Sequence, residues 1–444
     1  MSRRTRPVWE FINSVKRTPS PDSLTAVSLF SGAGLSDAGY ACAGFRFIVH
    51  VELEKNRAAI GASNFHDSKW IVGDARKVGR HVVAEYIKAT DRRLDLLVAT
   101  PPCQGMSSSN PSRGKRGTKF AGDHEAKNRL LLSLIPVAKR LRPRVIVAEN
   151  VRQVLTHTIS YRNRKVRIIE RLRSALSDYE IFEGVVNVAD YGVPQDRRRA
   201  IIVAIDKNEP WLQALKKGKV SPWPSHTHGA ASAESWITIR EWFEAIQYTP
   251  LDAGSAERAS NGHALHNVPH YDDHRYLWVS SIPPYSGKSA YDNSKCPECG
   301  AQDIPRGRIR CPRCNGLLKN RPFVPCRGGG RLIKGFDSSY RRMPANLPAR
   351  TITTNTSHLG SDYKIHPWEH RVLSALECAD LQTVPRWFDW SSAINGGHAY
   401  LIRKVIGESF PAYFTYLHGQ LLFRLLTSDS EHISLDELSM EQTS

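Results

Sequence analysis

No stretch of the 444-residue sequence supplies the ~18 unbroken apolar residues that a membrane-spanning helix needs. The opening MSRRTRPVWEFINSVKRTPSP is basic and lacks a continuous apolar core, so it reads as neither a signal peptide nor an anchor. Acidic residues are in short supply: 43 Asp and Glu stand against 62 Lys and Arg, a formal net charge of +19. Such an excess concentrates polyanions at the surface, which makes nucleic acid the first partner to expect. An acidic membrane would also be attracted, but no basic amphipathic anchor stands out. Cysteine is scarce and uneven. Of the 8, four fall in two C-x-x-C pairs, while Cys42, Cys103, Cys326 and Cys378 are scattered and suggest no disulfide framework. Internal repeats and long low-complexity segments are absent, and so is the G-x-G-x-x-G of a dinucleotide site, because Asp37 stands where its third glycine would fall.

What is present is alternation. AVSLF, FIVHVEL, LDLLVAT, RVIVAENV and RAIIVAI are apolar runs suited to buried parallel strands, and segments such as NRAAIGASNF and LLLSLIPVAKRLR between them carry helical spacing. The pattern predicts a doubly wound α/β domain over residues 25–215, after a polar arm at 1–24. Near residue 216 the Lys-, Pro- and Gly-rich KKGKVSPWPSHTHG marks a boundary. An irregular, basic region follows over 216–345, helical patterning returns over 346–426, and 427–444 is an acidic tail.

Three strand ends carry candidate chemistry. In VSLFSGAGLSDAGY, Gly32 and Gly34 follow the first strand and precede a helix, where glycine lets a ligand approach the backbone and the helix amides. Glu52 ends the next strand, placed to accept hydrogen bonds from ribose hydroxyls, and Asp74 ends another, placed to read an adenine amino group. These fit a nucleoside cofactor and leave open whether it is a dinucleotide or S-adenosylmethionine. In LDLLVATPPCQGMSSSNPSRGKRG, two prolines force an extended turn that presents Cys103 at a strand's carboxyl edge, where a thiol reads as reactive. The Gly-, Ser- and Lys/Arg-rich stretch after it suits a loop that closes over a phosphate backbone. A later strand ends in Glu149-Asn150, with Asn150 also readable as a helix cap. The element QDRRR brings Gln195, Arg197 and Arg199, with the two arginines on one face at strand period.

FSGAG, the Glu52 and Asp74 strand ends, PPCQG, ENV and QDRRR, followed by ARTITTNTSH around Arg350, HRVLSALECADLQTVP and IRKVIGESFP, closely resemble the DNA cytosine-5 methyltransferase family. The resemblance runs from Val27 to about Leu417, the basic insert excepted. It implies a Rossmann-like, S-adenosylmethionine-dependent methyltransferase domain with a smaller, irregular, basic target-recognition domain. It also implies transfer of a methyl group to C5 of a cytosine flipped out of duplex DNA. Residue by residue, it assigns Cys103 as nucleophile at C6, Glu149 to N3 and the exocyclic amine, and Arg199 to the base carbonyl. Arg197 would support the thiol's surroundings. Phe30, Gly32, Gly34, Glu52, Asp74, Pro102 and Leu130 would meet the cofactor, and Arg113, Lys115 and Arg116 would lie in the loop after Cys103. Three departures stand out: Thr100 replaces Gly before the prolines, Met106 replaces an aromatic, and Glu408 replaces the usual Asn after Gly407.

The basic region contains CPECGAQDIPRGRIRCPRC, whose Cys296, Cys299, Cys311 and Cys314 form C-x2-C-x11-C-x2-C. In a reducing compartment that spacing reads as a structural zinc ribbon, closed to chemistry because four thiolates leave no open position. Arg306, Arg308, Arg310, Arg313, Arg327 and Arg331 suit guanine edges or phosphates. The expected protein is a monomeric, cytoplasmic, nucleoid-associated modification enzyme whose functional counterpart is a restriction endonuclease. Two other readings are a tRNA cytosine-5 methyltransferase of the same fold and an inactive zinc-ribbon DNA-binding protein.

Overall fold

The computed structural model describes residues 2–102, 129–218, 221–327 and 329–428. Helix α1 (Arg6–Ser14) comes first, followed by strand β1 (Leu24–Leu29), α2 (Leu35–Cys42), β2 (Phe45–Glu52), α3 (Lys55–Asn64) and β3 (Lys69–Val72). Then come α4 (Gly79–Ala89), β4 (Leu96–Ala99), α5 (Leu134–Leu141) and β5 (Val145–Asn150). A hairpin of β6 (Thr158–Tyr161) and β7 (Arg164–Arg167) leads into α6 (Ile168–Ala175), β8 (Tyr179–Asn187), β9 (Gln195–Asp196) and β10 (Arg198–Asp206). The main sheet has seven strands in the order β3-β2-β1-β4-β5-β10-β8.

Strands β1 to β5 are parallel, and β1 is buried along its whole length. Its alternate side chains feed two cores: Leu24 and Ala26 pack with α2, α3 and the C-terminal helices, while Val27 and Leu29 pack with α4, α5 and α6. A two-sided burial of this kind is what β-branched, uninterrupted runs are suited to. Because the chain winds outward from β1 in both directions, the switch point lies between β1 and β4, and the ligand crevice of such sheets opens at the carboxyl ends there.

One strand departs from expectation. RAIIVAI, read as parallel, runs antiparallel to both β5 and β8 as β10. Only a short turn and β9 separate β8 from β10, too little for a crossover helix, so the chain folds straight back. β8 itself escaped the sequence reading because it is an edge strand with mixed burial, broken by Glu183 and Gly184.

The segment read as a polar arm contains α1, whose Val8, Phe11 and Ile12 are buried in the main core. Phe11 packs on Tyr413 and Tyr416, Trp9 on Trp242, and the Arg386 amide donates to the Ile12 carbonyl at 2.7 Å. α1 therefore joins α7 (Ile239–Ile246), which opens the basic region, to the C-terminal helix pair α8 (Tyr400–Glu408) and α9 (Ala412–Thr427). The basic region has its own core around Trp278, Tyr291, Phe323 and Tyr340. Two buried arginines hold its loops by their carbonyls: Arg321 donates to Asn293, Ile304, Pro305 and Arg308, and Arg342 to Val279, Ile282, His366 and Glu369. No helix among the described residues is long and apolar enough to cross a membrane.

Candidate active site

The loop after β1 is forced into its shape. Phe30, Gly32 and Gly34 have φ of 61°, 58° and 79°. A β-carbon at Gly34 would fall 2.7 Å from the Phe65 ring, so glycine is required there on two counts. Glu52, at the end of β2, closes the loop: one carboxylate oxygen accepts from the Gly32 amide at 2.9 Å, the other from Glu54 at 2.9 Å. Burial raises the Glu52 pKa, with the two amides and Arg57 opposing. Asp74 is gripped by Arg76, with Nη2 to Oδ2 at 2.6 Å, and that bond holds its carboxyl below the ordinary range. Leu130 is half-buried at the start of a 3-10 turn, and Pro102 is exposed.

Glu408 pairs with Arg57 of α3 at 2.9 Å, so this departure ties α8 to α3 beside Glu52. Gly407 before it is fixed sterically. A β-carbon there would lie 2.3 Å from the Thr353 carbonyl carbon, which means α8 lies directly on the backbone of the Arg-Thr-Ile-Thr segment.

Cys103, Met106, Arg113, Lys115 and Arg116 lie outside the described residues, as does the acidic tail beyond 428. The turn leading to Cys103 is described up to Pro102, and it is anchored. The Asn150 side-chain amide donates to the Pro101 carbonyl at 3.0 Å, and its oxygen accepts from the Val151 amide at 2.9 Å. Asn150 thus holds the proline turn against β5; the cap of the following 3-10 turn is Val151 instead. Thr100 has a use of its own, donating its hydroxyl to the Phe30 carbonyl at 3.0 Å and so joining the proline turn to the glycine loop.

Glu149 stands at the carboxyl end of β5 and Arg199 at the facing end of β10, with Nε to Oε1 at 3.0 Å. The Glu149 side chain is 14 % exposed. A small apolar cavity lined by Val98, Val147, Ile201 and Phe410 adjoins it. Burial raises the Glu149 pKa above the usual carboxylate value, while the Arg199 and Arg197 charges pull the other way. Desolvation wins, so the site favours the acid form more than water does.

Arg197 breaks the strand period that seemed to pair it with Arg199. It lies between β9 and β10, only 2 % exposed, and donates to the carbonyls of Ile352 at 2.9 Å and Gly407 at 3.3 Å. The structure places it as a strut under the Arg-Thr-Ile-Thr segment, close enough for Glu149 to feel its charge. Gln195 beside it donates to Gln382 at 2.8 Å and accepts from the Ile352 amide at 3.0 Å, and Gln382 in turn donates to the Ile406 carbonyl at 2.6 Å. Arg350 pairs with Asp196 at 3.3 Å as β13 (Ala349–Arg350) lies parallel to β9; two short strands, β11 (Phe323–Val324) and β12 (Arg331–Leu332), precede it in the basic region.

The four paired cysteines do converge. Their sulfurs all lie within 4.8 Å of one another, with Cys296–Cys314 at 3.8 Å and Cys299–Cys311 at 3.6 Å. Sulfurs at the corners of a tetrahedron around a zinc with Zn–S of about 2.3 Å would sit about 3.8 Å apart. The Cys299 amide points at the Cys296 sulfur and the Arg313 amide at the Cys311 sulfur, while Ile304 and Leu318 cover the cluster. Of the arginines around it, Arg306 is tied to Asp292 and Asp337 and Arg310 to the Asn315 carbonyl, leaving Arg308, Arg313, Arg327 and Arg331 exposed.

An open sheet wound outward from β1, with a glycine loop and an acid at the carboxyl ends of its first two strands, defines a Rossmann-like fold built to hold a nucleoside cofactor. Within that class the chain belongs to the C-5 cytosine-specific DNA methylase family, whose model matches residues 24–416. It is 28 % identical over 406 residues to the Type II methyltransferase M1.HgaI of Avibacterium volantium, covering 88 % of this chain and 95 % of that one. Over 206 residues it is 33 % identical to the Type II methyltransferase M1.HphI of Haemophilus parahaemolyticus, which covers 46 % of this chain and 50 % of the other. In fold it is similar to the crystal structure of a Spodoptera frugiperda DNMT2 variant, with a TM-score of 0.53 at 13 % identity, covering 91 % of this chain and all 100 % of that one.

Proposed function

We propose that this DNA cytosine methyltransferase works through a covalent bond between the Cys103 thiolate and cytosine C6. The observation that carries the reading is the Glu149–Arg199 pair at the sheet edge, beside a proline turn that Asn150 holds in place. Cytosine C5 is too weak a nucleophile to take a methyl group unaided. Addition of the Cys103 sulfur at C6 breaks the 5,6 double bond and pushes an electron pair toward C5 and N3. A protonated Glu149 donates to N3 as that charge grows and accepts from the exocyclic amine, while Arg199 faces the base carbonyl. S-adenosylmethionine, held by the glycine loop with Phe30, Glu52, Asp74, Pro102 and Leu130, supplies the electrophilic methyl group. Once C5 is methylated, a base removes the C5 proton, the pair re-forms the double bond, and Cys103 departs as thiolate. The target base must leave the duplex first, at a cost of a few kcal/mol.

The Type II names of the relatives support a role as the modification partner of a restriction endonuclease; we further propose that it acts as a monomer in the cytoplasm at the nucleoid. Methyl transfer from labelled S-adenosylmethionine to duplex DNA, compared with tRNA, tests the substrate. DNA labelled and tRNA unlabelled is the expected outcome; the reverse makes this a tRNA enzyme, and neither makes it a binding protein. Bisulfite sequencing of DNA from an expressing host then gives the target site.

Cys296, Cys299, Cys311 and Cys314 are proposed to hold a structural zinc, and the exposed Arg308, Arg313, Arg327 and Arg331 beside it to meet DNA. Cys296→Ser is expected to lower metal content and weaken DNA binding while S-adenosylmethionine affinity stays unchanged, as read by elemental analysis and titration. Full zinc-free folding and DNA binding in the wild type would remove zinc from the reading.

A further inference from the structure

We propose that the β6–β7 hairpin is a second DNA-binding element, gripping the phosphate backbone on the catalytic side of the target cytosine. It rests on the DNA reading above and adds a contact surface outside the basic insert. The hairpin leaves β5 just past Asn150, separated from it only by the 3-10 turn Arg152–Leu155. Since α6 then runs back to the start of β8, the hairpin must stand at the carboxyl edge of the sheet, the edge that holds Glu149, Arg199 and the proline turn.

Its charge is one-sided. Arg152, Arg162, Arg164 and Lys165 are all exposed, and among the described residues none of them is ion-paired. Several surface arginines elsewhere in this domain are matched, such as Arg57 with Glu408, Arg93 with Asp206 and Arg173 with Glu183, while Arg80 and Arg140 stand exposed as single cations on other elements. The cation at the tip, Arg162, is also held in place. Tyr161 lies under two guanidinium groups, Arg171 of α6 at 4.5 Å and Arg162 at 5.5 Å. The turn is two residues long, with Arg162 at φ 48° and Asn163 at φ 61°. A turn with both central residues at positive φ favours Asn-Gly, and an arginine there is held against its backbone preference. Strain of this kind, borne by a cation at an exposed tip beside a catalytic edge, fits an anionic ligand. The spacing of duplex phosphates suits a row of cations, and Arg129 adds a brace by donating to the Ser160 carbonyl of β6.

The triple variant Arg162→Gly, Arg164→Ala, Lys165→Ala tests it, with Arg162→Gly chosen because glycine relaxes the turn. Binding of a mixed-sequence DNA duplex is measured by anisotropy across a salt series, with S-adenosylmethionine titrated in parallel. Each phosphate contact contributes about 0.9 to the slope of log K against log salt, so the slope should become shallower by up to about 2.7. DNA KM should rise while kcat at saturating DNA and cofactor affinity hold. The conservative Arg164→Lys variant should keep the wild-type slope. An unchanged slope and affinity in the triple variant would overturn the hairpin's role while leaving the enzyme's reading intact. A wild-type chain that binds no duplex at any salt would overturn both.

Discussion

Glu149→Gln is expected to lower methyl transfer by about 10²–10⁴-fold, the usual worth of a positioned general acid. The loss should lie in kcat, because glutamine keeps the size and the hydrogen bonds to the exocyclic amine but delivers no proton to N3. A pH dependence accompanies it. The raised pKa of Glu149 comes first from burial and is moderated by Arg199 and Arg197. Activity that needs the acid form is present below that pKa and lost as pH rises through it. Glutamine removes the titrating group, so the variant's residual rate should lack that alkaline limb. Arg199→Ala should move the limb upward, since it deletes the 3.0 Å partner that favours the carboxylate. A stopped-time methylation assay across pH checks all three. A Gln variant with wild-type kcat would remove Glu149 from proton delivery.

Cys103→Ala is expected to abolish measurable transfer altogether, because without a sulfur at C6 no electron pair reaches C5. Loss should be confined to chemistry: DNA affinity and S-adenosylmethionine affinity stay near wild type, because neither the hairpin cations nor the Glu52–Gly32 loop depends on the thiol. Cys103→Ser should be nearly as inactive, an alcohol being far less ionised than a thiol at neutral pH. Filter-binding and single-turnover measurements separate the two effects.

How much of this was legible in the sequence depended on range. Strands β1, β2, β4 and β5 showed as apolar runs because each is buried on both faces, and Gly32, Glu52, Asp74, Glu149 and Arg199 each fell at or beside a strand end where ligand groups collect. The sense of β10 was not legible, since an apolar run looks alike in either direction; the short link from β8 decided it. Helix α1 had its i, i+3, i+4 pattern of Val8, Phe11 and Ile12 in plain view, hidden by the basic residues around it. The struts were out of reach. Gln195 meets Gln382 across 187 positions and Asn150 meets Pro101 across 49, and no local pattern couples such pairs. Charge alone also misled about the insert, where Arg306 proved to be held by Asp292 and Asp337 and the buried Arg321 by backbone carbonyls. The unmatched cations of Arg162, Arg164 and Lys165 sat instead in a hairpin that composition did not single out.

The covalent route stands or falls on trapping. A duplex whose cytosines are replaced by 5-fluorocytosine is incubated with the protein and S-adenosylmethionine, then denatured and analysed by mass spectrometry after proteolysis. Fluorine at C5 cannot leave as a proton does, so a stable adduct is predicted, carrying the transferred methyl group and attached to the peptide at Cys103. Methylation of ordinary DNA by the same preparation with no adduct on the fluorinated duplex, or with the adduct on another residue, would contradict it.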